Sequence, residues 1–151
     1  MKAAIIATLF AGTVAAGLSA PLAYADPATI TLNGESAAVR PGDELSVSCN
    51  TGHGSVSPTD MIIQVSDGQV GDIGQARITS SGKVVNLAIM GHQGQYGLIG
   101  TEQGGPLQGG DASVVMSGKS YQITGHASRL VNLAQSTTGA PLPFEFDVTC
   151  Q

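Results

Sequence analysis

Positive charge and aromatic residues are the two things this chain has least of. Its 151 residues include 6 Lys and Arg against 11 Asp and Glu, for a formal net charge of −5. That balance disfavours nucleic acid and anionic lipid as partners, because too few cations are present to neutralise their phosphates. Trp is absent, and Phe and Tyr number three each. Sugar-binding modules usually stack rings on exposed aromatic side chains, so the composition gives no positive signal for that function.

Cysteine is limited to Cys49 and Cys150. In an oxidising compartment an isolated pair is most simply a structural disulfide, with two free thiols or a metal site as the alternatives. Each cysteine ends a run in which apolar and polar residues alternate, and period-two spacing places the sulfur on the apolar face of its strand. We therefore expect an internal bridge between the first third of the domain and its last strand.

Long hydrophobic runs are missing except at the start, where residues 3–18 are mostly apolar. This run is shorter than the roughly 20 residues needed to span a bilayer. Lys2 precedes it, and Ala23-Tyr24-Ala25 follows it as an A-x-A cleavage site. The pattern predicts a signal peptide over residues 1–25, cleaved between Ala25 and Asp26, rather than a membrane anchor. The mature domain, residues 26–151, is then secreted or held in the periplasm or cell envelope without a transmembrane segment.

Strand signals separated by turn signals dominate the rest of the chain. Asn33-Gly34 is a strong hairpin signal, and Lys83 to Met90 is the clearest internal strand. The glycine-rich stretch from Gly91 to Asp111 suggests long mobile connections around a short strand at Tyr96 to Ile99. Ser128 to Gln135 suggests one short helical segment. We predict a mainly β, antiparallel domain of about seven to eight strands, arranged as a sandwich or partly open barrel.

No motif points to catalysis, a metal or a cofactor. His53, His92 and His126 each follow a glycine, but none has the spacing of a metal site. Ser80-Ser81-Gly82-Lys83 matches S-x-x-K, yet it falls in a turn before a strand and lacks the companion motifs of penicillin-recognising enzymes. A hydrolase that uses His53 or His92 is retained only as a third hypothesis.

An apolar pocket is the other candidate site. Val85, Leu87, Ile89, Ile123 and Phe146 are the residues we expect either to line a cavity beneath the glycine-rich loops or simply to fill the core. The first reading corresponds to a soluble lipid or glycolipid carrier.

The C-terminal half resembles a known family. Lys119 to Ser128, with Tyr121-Gln-Ile-Thr-Gly-His-Ala127, and the terminal Phe144-Glu-Phe-Asp-Val-Thr-Cys150 are similar to the end of the mycobacterial 19 kDa lipoprotein antigen family, the LpqH type. Leu45 to Cys49 resembles its first cysteine strand. The resemblance implies an actinobacterial envelope protein with a conserved disulfide and an antigen-like or adhesive role without catalysis.

The chain departs from this family at the lipobox. Ala16-Gly17-Leu18-Ser19-Ala20 is followed by Pro21, where a cysteine for acylation is expected. We therefore predict an exported form without a lipid anchor. Its predicted function is that of a non-catalytic binding or adhesion module whose partner is an envelope glycolipid or a host surface component. The alternative is the soluble lipid or glycolipid carrier.

Overall fold

A computed structural model describes residues 27–39, 44–53, 56–102 and 104–151. The predicted signal peptide and its cleavage point at Ala25 and Asp26 lie outside these residues. The described residues form ten strands: β1 (Ala28–Leu32), β2 (Glu35–Ser36), β3 (Leu45–Thr51), β4 (Met61–Asp67), β5 (Gly71–Ile78), β6 (Val84–Gly91), β7 (Gly94–Ile99), β8 (Asp111–Ser117), β9 (Ser120–Val131) and β10 (Ser136–Thr149).

All ten strands belong to one antiparallel sheet. Its order is β2-β1-β10-β9-β7-β6-β5-β4-β3, with β8 paired to β9 off this path. The first half of β9 pairs with β8, and Ser128 and Arg129 near its end pair with β7. The sheet curls until β5 faces β1 and β10, since a Cβ at Gly74 would collide with Ile30 and Phe146. This antiparallel half-barrel confirms the partly open barrel, with more strands than the sequence predicted.

Alternation within each strand separates the core from the outer face. In β10, for example, Phe144, Phe146 and Val148 are buried, whereas the intervening acidic and hydroxyl residues point outward. The inner faces together form one core cluster: Ala28, Ile30, Leu32, Ala37, Ile63, Val65, Ile73, Ala76, Ile78, Val84, Leu87, Ile89, Leu98, Ile123, Ala127, Phe144, Phe146 and Val148.

The Asn33-Gly34 hairpin is confirmed. Asn33 has φ 53° and Gly34 has φ 78°, which are the two left-handed residues of a type I′ turn. This turn connects β1 to the two-residue strand β2.

The short helical segment predicted at Ser128 to Gln135 is wrong. Strand β9 continues to Val131, because its last residues pair with β10 on one side and with β7 on the other. The chain then reverses in a tight turn in which Asn132, Leu133 and Ala134 have φ values of 52°, 55° and 62°. A right-handed helix needs negative φ at these positions, so strand pairing has overridden the apparently helical spacing of apolar residues.

The glycine-rich stretch is more regular than we expected. Only a two-residue turn separates β6 from β7, which includes the short strand expected at Tyr96 to Ile99. The connection after β7 is tied back by the paired backbones of Ile99 and Gln108. The strand that follows, β8, was not predicted.

The disulfide joins Cys49 to Cys150, with a Cα–Cα distance of 5.7 Å and a sequence separation of 101. It ties the outermost strand β3 to the end of β10 and so holds the curled sheet together. The chain-entropy model gives a loop of this length about 4–5 kcal/mol of stabilisation.

Candidate functional site

The residues nominated for an apolar pocket are all buried. Val85, Leu87, Ile89, Ile123 and Phe146 are at most 2% exposed. All except Val85 belong to the core cluster, and Leu87 also borders a surface cavity of about 240 Å³. The structure therefore brings most of this set together as core packing.

The three histidines occupy separate positions on the surface. His53 follows β3, His92 lies in the turn between β6 and β7, and His126 lies on β9. His126 Nδ1 is 2.9 Å from Asp111 Oδ1, and both side chains are exposed. Within the described ranges, no group of three or more His, Cys, Asp or Glu side chains is placed to hold a metal ion.

The register of four strands brings a group of polar side chains together on one surface of the sheet. We call it the outer face: the outward-pointing side chains of β1, of β8, of residues 120–126 in β9 and of residues 143–149 in β10. Cross-strand pairing arranges them in rows, the first being Thr29, Asp147, Gln122 and Val115. The remaining rows are Thr31, Glu145, Thr124 and Ser113; then Pro143, His126 and Asp111; and, at the other end, Thr149, Ser120 and Ser117.

Two shallow depressions lie on the outer face. One, of about 520 Å³, is lined by residues that include Thr31, Thr124 and Glu145. The other, of about 320 Å³, is lined by residues that include Gln122 and Asp147. Neither lining contains Lys or Arg among the described residues. The outer face is thus rich in hydroxyl groups and carboxylates without a permanent cation beside them.

Asp147 has the most unusual environment on this face. Burial raises the pKa of its carboxyl group, the negative charge of Glu145 raises it further, and a hydrogen bond with Gln122 opposes both effects. The Oδ1 atom of Asp147 is buried and accepts no hydrogen bond from any described residue. This oxygen is covered in the free protein, and leaving it without a donor costs about 1–3 kcal/mol, so the carboxylate gains from any small rearrangement that brings a donor to it.

A second group of carboxylates lies on the opposite half of the sheet, around Arg77 of β5. Arg77 Nε donates to Asp60 Oδ2 at 2.8 Å, and its two terminal nitrogens donate to Glu102 at 3.1 and 2.8 Å. The Arg77 and Asp60 side chains are 8% and 4% exposed, whereas that of Glu102 is 70% exposed. The hydrogen bonds from Arg77 are the main reason that the pKa of Glu102 is lowered. Both carboxylates are therefore paired with a cation. We call Arg77, Asp60 and Glu102 the Arg77 cluster.

Sequence reasoning missed the outer face for two reasons. Strand β8 begins where the glycine-rich stretch ends and was assigned no element, although Ala112, Val114 and Met116 alternate with Asp111, Ser113 and Ser117 there. In β10 the outward position of Glu145 and Asp147 was implied by the buried residues beside them, but their neighbours on β1 and β9 depend on register. An acidic pair on one strand face without a nearby cation was the available signal.

The fold is that of a disulfide-closed antiparallel half-barrel with a polar outer face. The model of the Mycobacterium 19 kDa lipoprotein antigen family matches residues 21–150, and the chain belongs to this family. The resemblance inferred from the cysteine-containing strands is therefore confirmed. The family is associated with the cell envelope, and an antigen family suggests a protein that is not an enzyme. A comparison with curated proteins returns no match. No helix in the described part of the chain is both long enough and apolar enough to cross a bilayer.

Proposed function

We propose that this protein is an exported, non-catalytic binding domain of the cell envelope that holds a hydroxyl-rich ligand on its outer face. The proposed ligand is the sugar headgroup of an envelope glycolipid. The observation that carries the proposal is the depression of about 320 Å³ in which the half-buried Asp147 carboxylate, held by one hydrogen bond with Gln122, is surrounded by hydroxyl groups.

Hydroxyl-rich ligands suit this surface because a hydroxyl group both donates and accepts. A ligand hydroxyl can donate to a carboxylate oxygen of Asp147 or Glu145 while accepting from Thr124 or from the amide of Gln122. Hydrogen bonds to a charged group contribute about 1.5–3 kcal/mol each, more than neutral ones. An anionic ligand is disfavoured, because the acidic side chains that line the depressions repel it.

The absence of an anchor is part of the proposal. The sequence contains two cysteines, and the sulfurs of both are bonded to one another. Neither is free to carry an acyl chain while this bond persists. Retention at the envelope then depends on a bound partner, which gives the outer face its role.

The alternative functions receive less support. The residues nominated for a carrier pocket fill the core, so a lipid tail would have to displace packed side chains. For a hydrolase, His53 and His92 are exposed, and neither makes a side-chain hydrogen bond to another described residue. A catalytic base needs a partner that orients it.

Binding of neutral oligosaccharides tests the proposal. We would titrate the protein with maltotriose, mannotriose and galactotriose by calorimetry and by NMR. We expect at least one to bind and to shift the amide signals of Gln122, Thr124 and Asp147. Thr124→Val removes a hydroxyl from the outer face at constant shape and should weaken that binding about tenfold.

Thr138→Val is the matched control, because Thr138 is an exposed β10 threonine outside the outer face. It should bind like the unmodified protein. Failure of every neutral oligosaccharide to bind would overturn the proposal. A lipid that co-purifies and stays bound in native mass spectrometry would favour the carrier instead.

A further inference from the structure

Strand β8 has a partner on one side only. It pairs with β9 from Asp111–His126 to Ser117–Ser120, and no other described strand pairs with it. The carbonyl oxygens of Asp111 and His126 each point toward the opposite strand, since a Cβ added at Gly125 would collide with the first and one added at Gly110 with the second. Asp111 and His126 are therefore a hydrogen-bonded pair, in which each backbone N–H donates to the other's carbonyl oxygen. Alternation then leaves the N–H and C=O groups of Ala112, Val114 and Met116 pointing away from β9, toward the open edge.

This edge has little of the usual protection against pairing, although the Met116 side chain lies against Gly82 in the turn between β5 and β6. Residues 111–117 contain no Lys, Arg, Pro or Gly, and their register with β9 is uninterrupted. Val115 is 61% exposed and Met116 is 48% exposed, which makes two of the four exposed large hydrophobic side chains in the described residues. By contrast, the edge strand β2 has two residues, and β3 is tied by the disulfide. A flat apolar edge of this kind is a template for another strand.

We propose that β8 of a second copy of this chain pairs with this edge, antiparallel and about a two-fold axis at Val114. The pairing does not depend on the proposed ligand function. It places Val114 opposite Val114, Ala112 opposite Met116, and Ser113 opposite Val115. The backbone groups that face the edge in one copy then meet those of the other, and the exposed Val115 and Met116 side chains are covered.

Charge complementarity selects a second copy over an unrelated strand. The same two-fold axis brings Asp111 of each chain opposite Ser117 of the other, two residues from Lys119, which lies in the turn after β8. Lys119 stands in the turn rather than on the strand, and its long side chain can extend from there toward Asp111 of the other copy. We therefore expect each interface to contain two opposite-charge contacts related by symmetry, as in an isologous dimer.

Sedimentation and hydrogen exchange over a range of protein concentrations test the pairing. We expect a reversible monomer–dimer equilibrium, with protection of the Ala112, Val114 and Met116 amides that grows with concentration. Ser113 and Val115 should be protected at every concentration, because their amides face β9. Val115→Lys should weaken dimerisation at least about tenfold, whereas Val70→Lys, a matched change at an exposed turn valine, should leave it unchanged.

The charge contact has its own test. Lys119→Glu should weaken the dimer by facing Asp111 of the other copy, and adding Asp111→Lys should restore it. A protein that stays monomeric at its solubility limit would overturn the proposal. So would a dimer that survives Val115→Lys or one in which the double charge reversal fails to restore the affinity lost in Lys119→Glu.

Discussion

The Arg77 cluster and the outer face each contain carboxylates, yet they differ in what surrounds the charge. In the Arg77 cluster a buried guanidinium donates to Asp60 and Glu102 at 2.8–3.1 Å. On the outer face, Glu145 and Asp147 lie on one strand, and the depressions they line hold no Lys or Arg. The pKa of Glu102 is lowered by its cation, and that of Asp147 is raised by burial and by Glu145.

This difference separates carboxylates that stabilise the fold from those available to a ligand. Removing the partner of a buried, hydrogen-bonded charge strongly destabilises the fold, because the remaining charge is left buried without compensation. A carboxylate with a raised pKa and an unpartnered oxygen costs stability in the free protein, and a ligand that donates to it recovers that cost. Sites of this kind are common where proteins bind other molecules.

Removing the cation from the Arg77 cluster should have the largest effect. Arg77→Met leaves the buried Asp60 carboxylate without its partner, and we expect a loss of about 3–5 kcal/mol in the free energy of unfolding. Urea denaturation at neutral pH measures it. Arg129→Met, at an exposed position on β9, is the control and should lose far less. Equal losses in the two variants would mean that the contacts of Arg77 with Asp60 and Glu102 stabilise the fold no more than an exposed arginine does.

Neutralising Asp147 should have a smaller effect of opposite sign. Asp147→Asn removes a half-buried charge that Glu145 repels, and we expect a gain of about 0.5–1 kcal/mol at neutral pH. A group whose pKa is raised on folding binds its proton more tightly in the folded state. The unmodified protein therefore loses stability as pH rises from the unfolded-state pKa of Asp147 through its folded-state pKa. The gain should therefore vanish in acid, below the unfolded-state pKa of Asp147.

Denaturation series from acid to neutral pH would measure this dependence for the unmodified protein and for Asp147→Asn. Glu145→Gln is the companion variant, because it removes only the repulsion and should give a smaller gain of the same sign. A destabilised Asp147→Asn protein at neutral pH would mean that the hydrogen bond with Gln122 outweighs burial and the repulsion by Glu145.

Glu102→Gln should have the smallest effect, since the Glu102 side chain is largely exposed. Its pKa is lowered on folding, so its contribution is present above the unfolded-state pKa and is lost as pH falls through the folded-state pKa. We expect a slight loss of stability at neutral pH that disappears in acid, with the opposite sign to Asp147→Asn. The same denaturation series tests this, and a loss that persists in acid would argue against a role for the charge.

Local patterns in the sequence predicted the parts of the fold that depend on local chemistry. Asn33-Gly34 forms the type I′ turn that its residue types favour, and Cys49 and Cys150 pair as the isolated cysteines suggested. The helix predicted at Ser128 to Gln135 failed because pairing of β9 with two other strands outweighed the local spacing.

The candidate site depended on information that the sequence does not carry locally. Arg77 meets Asp60 and Glu102 across separations of 17 and 25 residues. The neighbours of Asp147 on β1 and β9 follow from the register of strands that are far apart in the chain. Burial of one carboxylate oxygen among them is a property of the assembled sheet.

The most direct test is an NMR titration that follows the side-chain carboxyl carbons of Asp147 and Glu102 in the folded protein. We expect the pKa of Asp147 to lie above the ordinary range for aspartate and that of Glu102 to lie below the ordinary range for glutamate. An Asp147 pKa at or below its ordinary value would contradict the claim that burial and the charge of Glu145 outweigh the single hydrogen bond with Gln122.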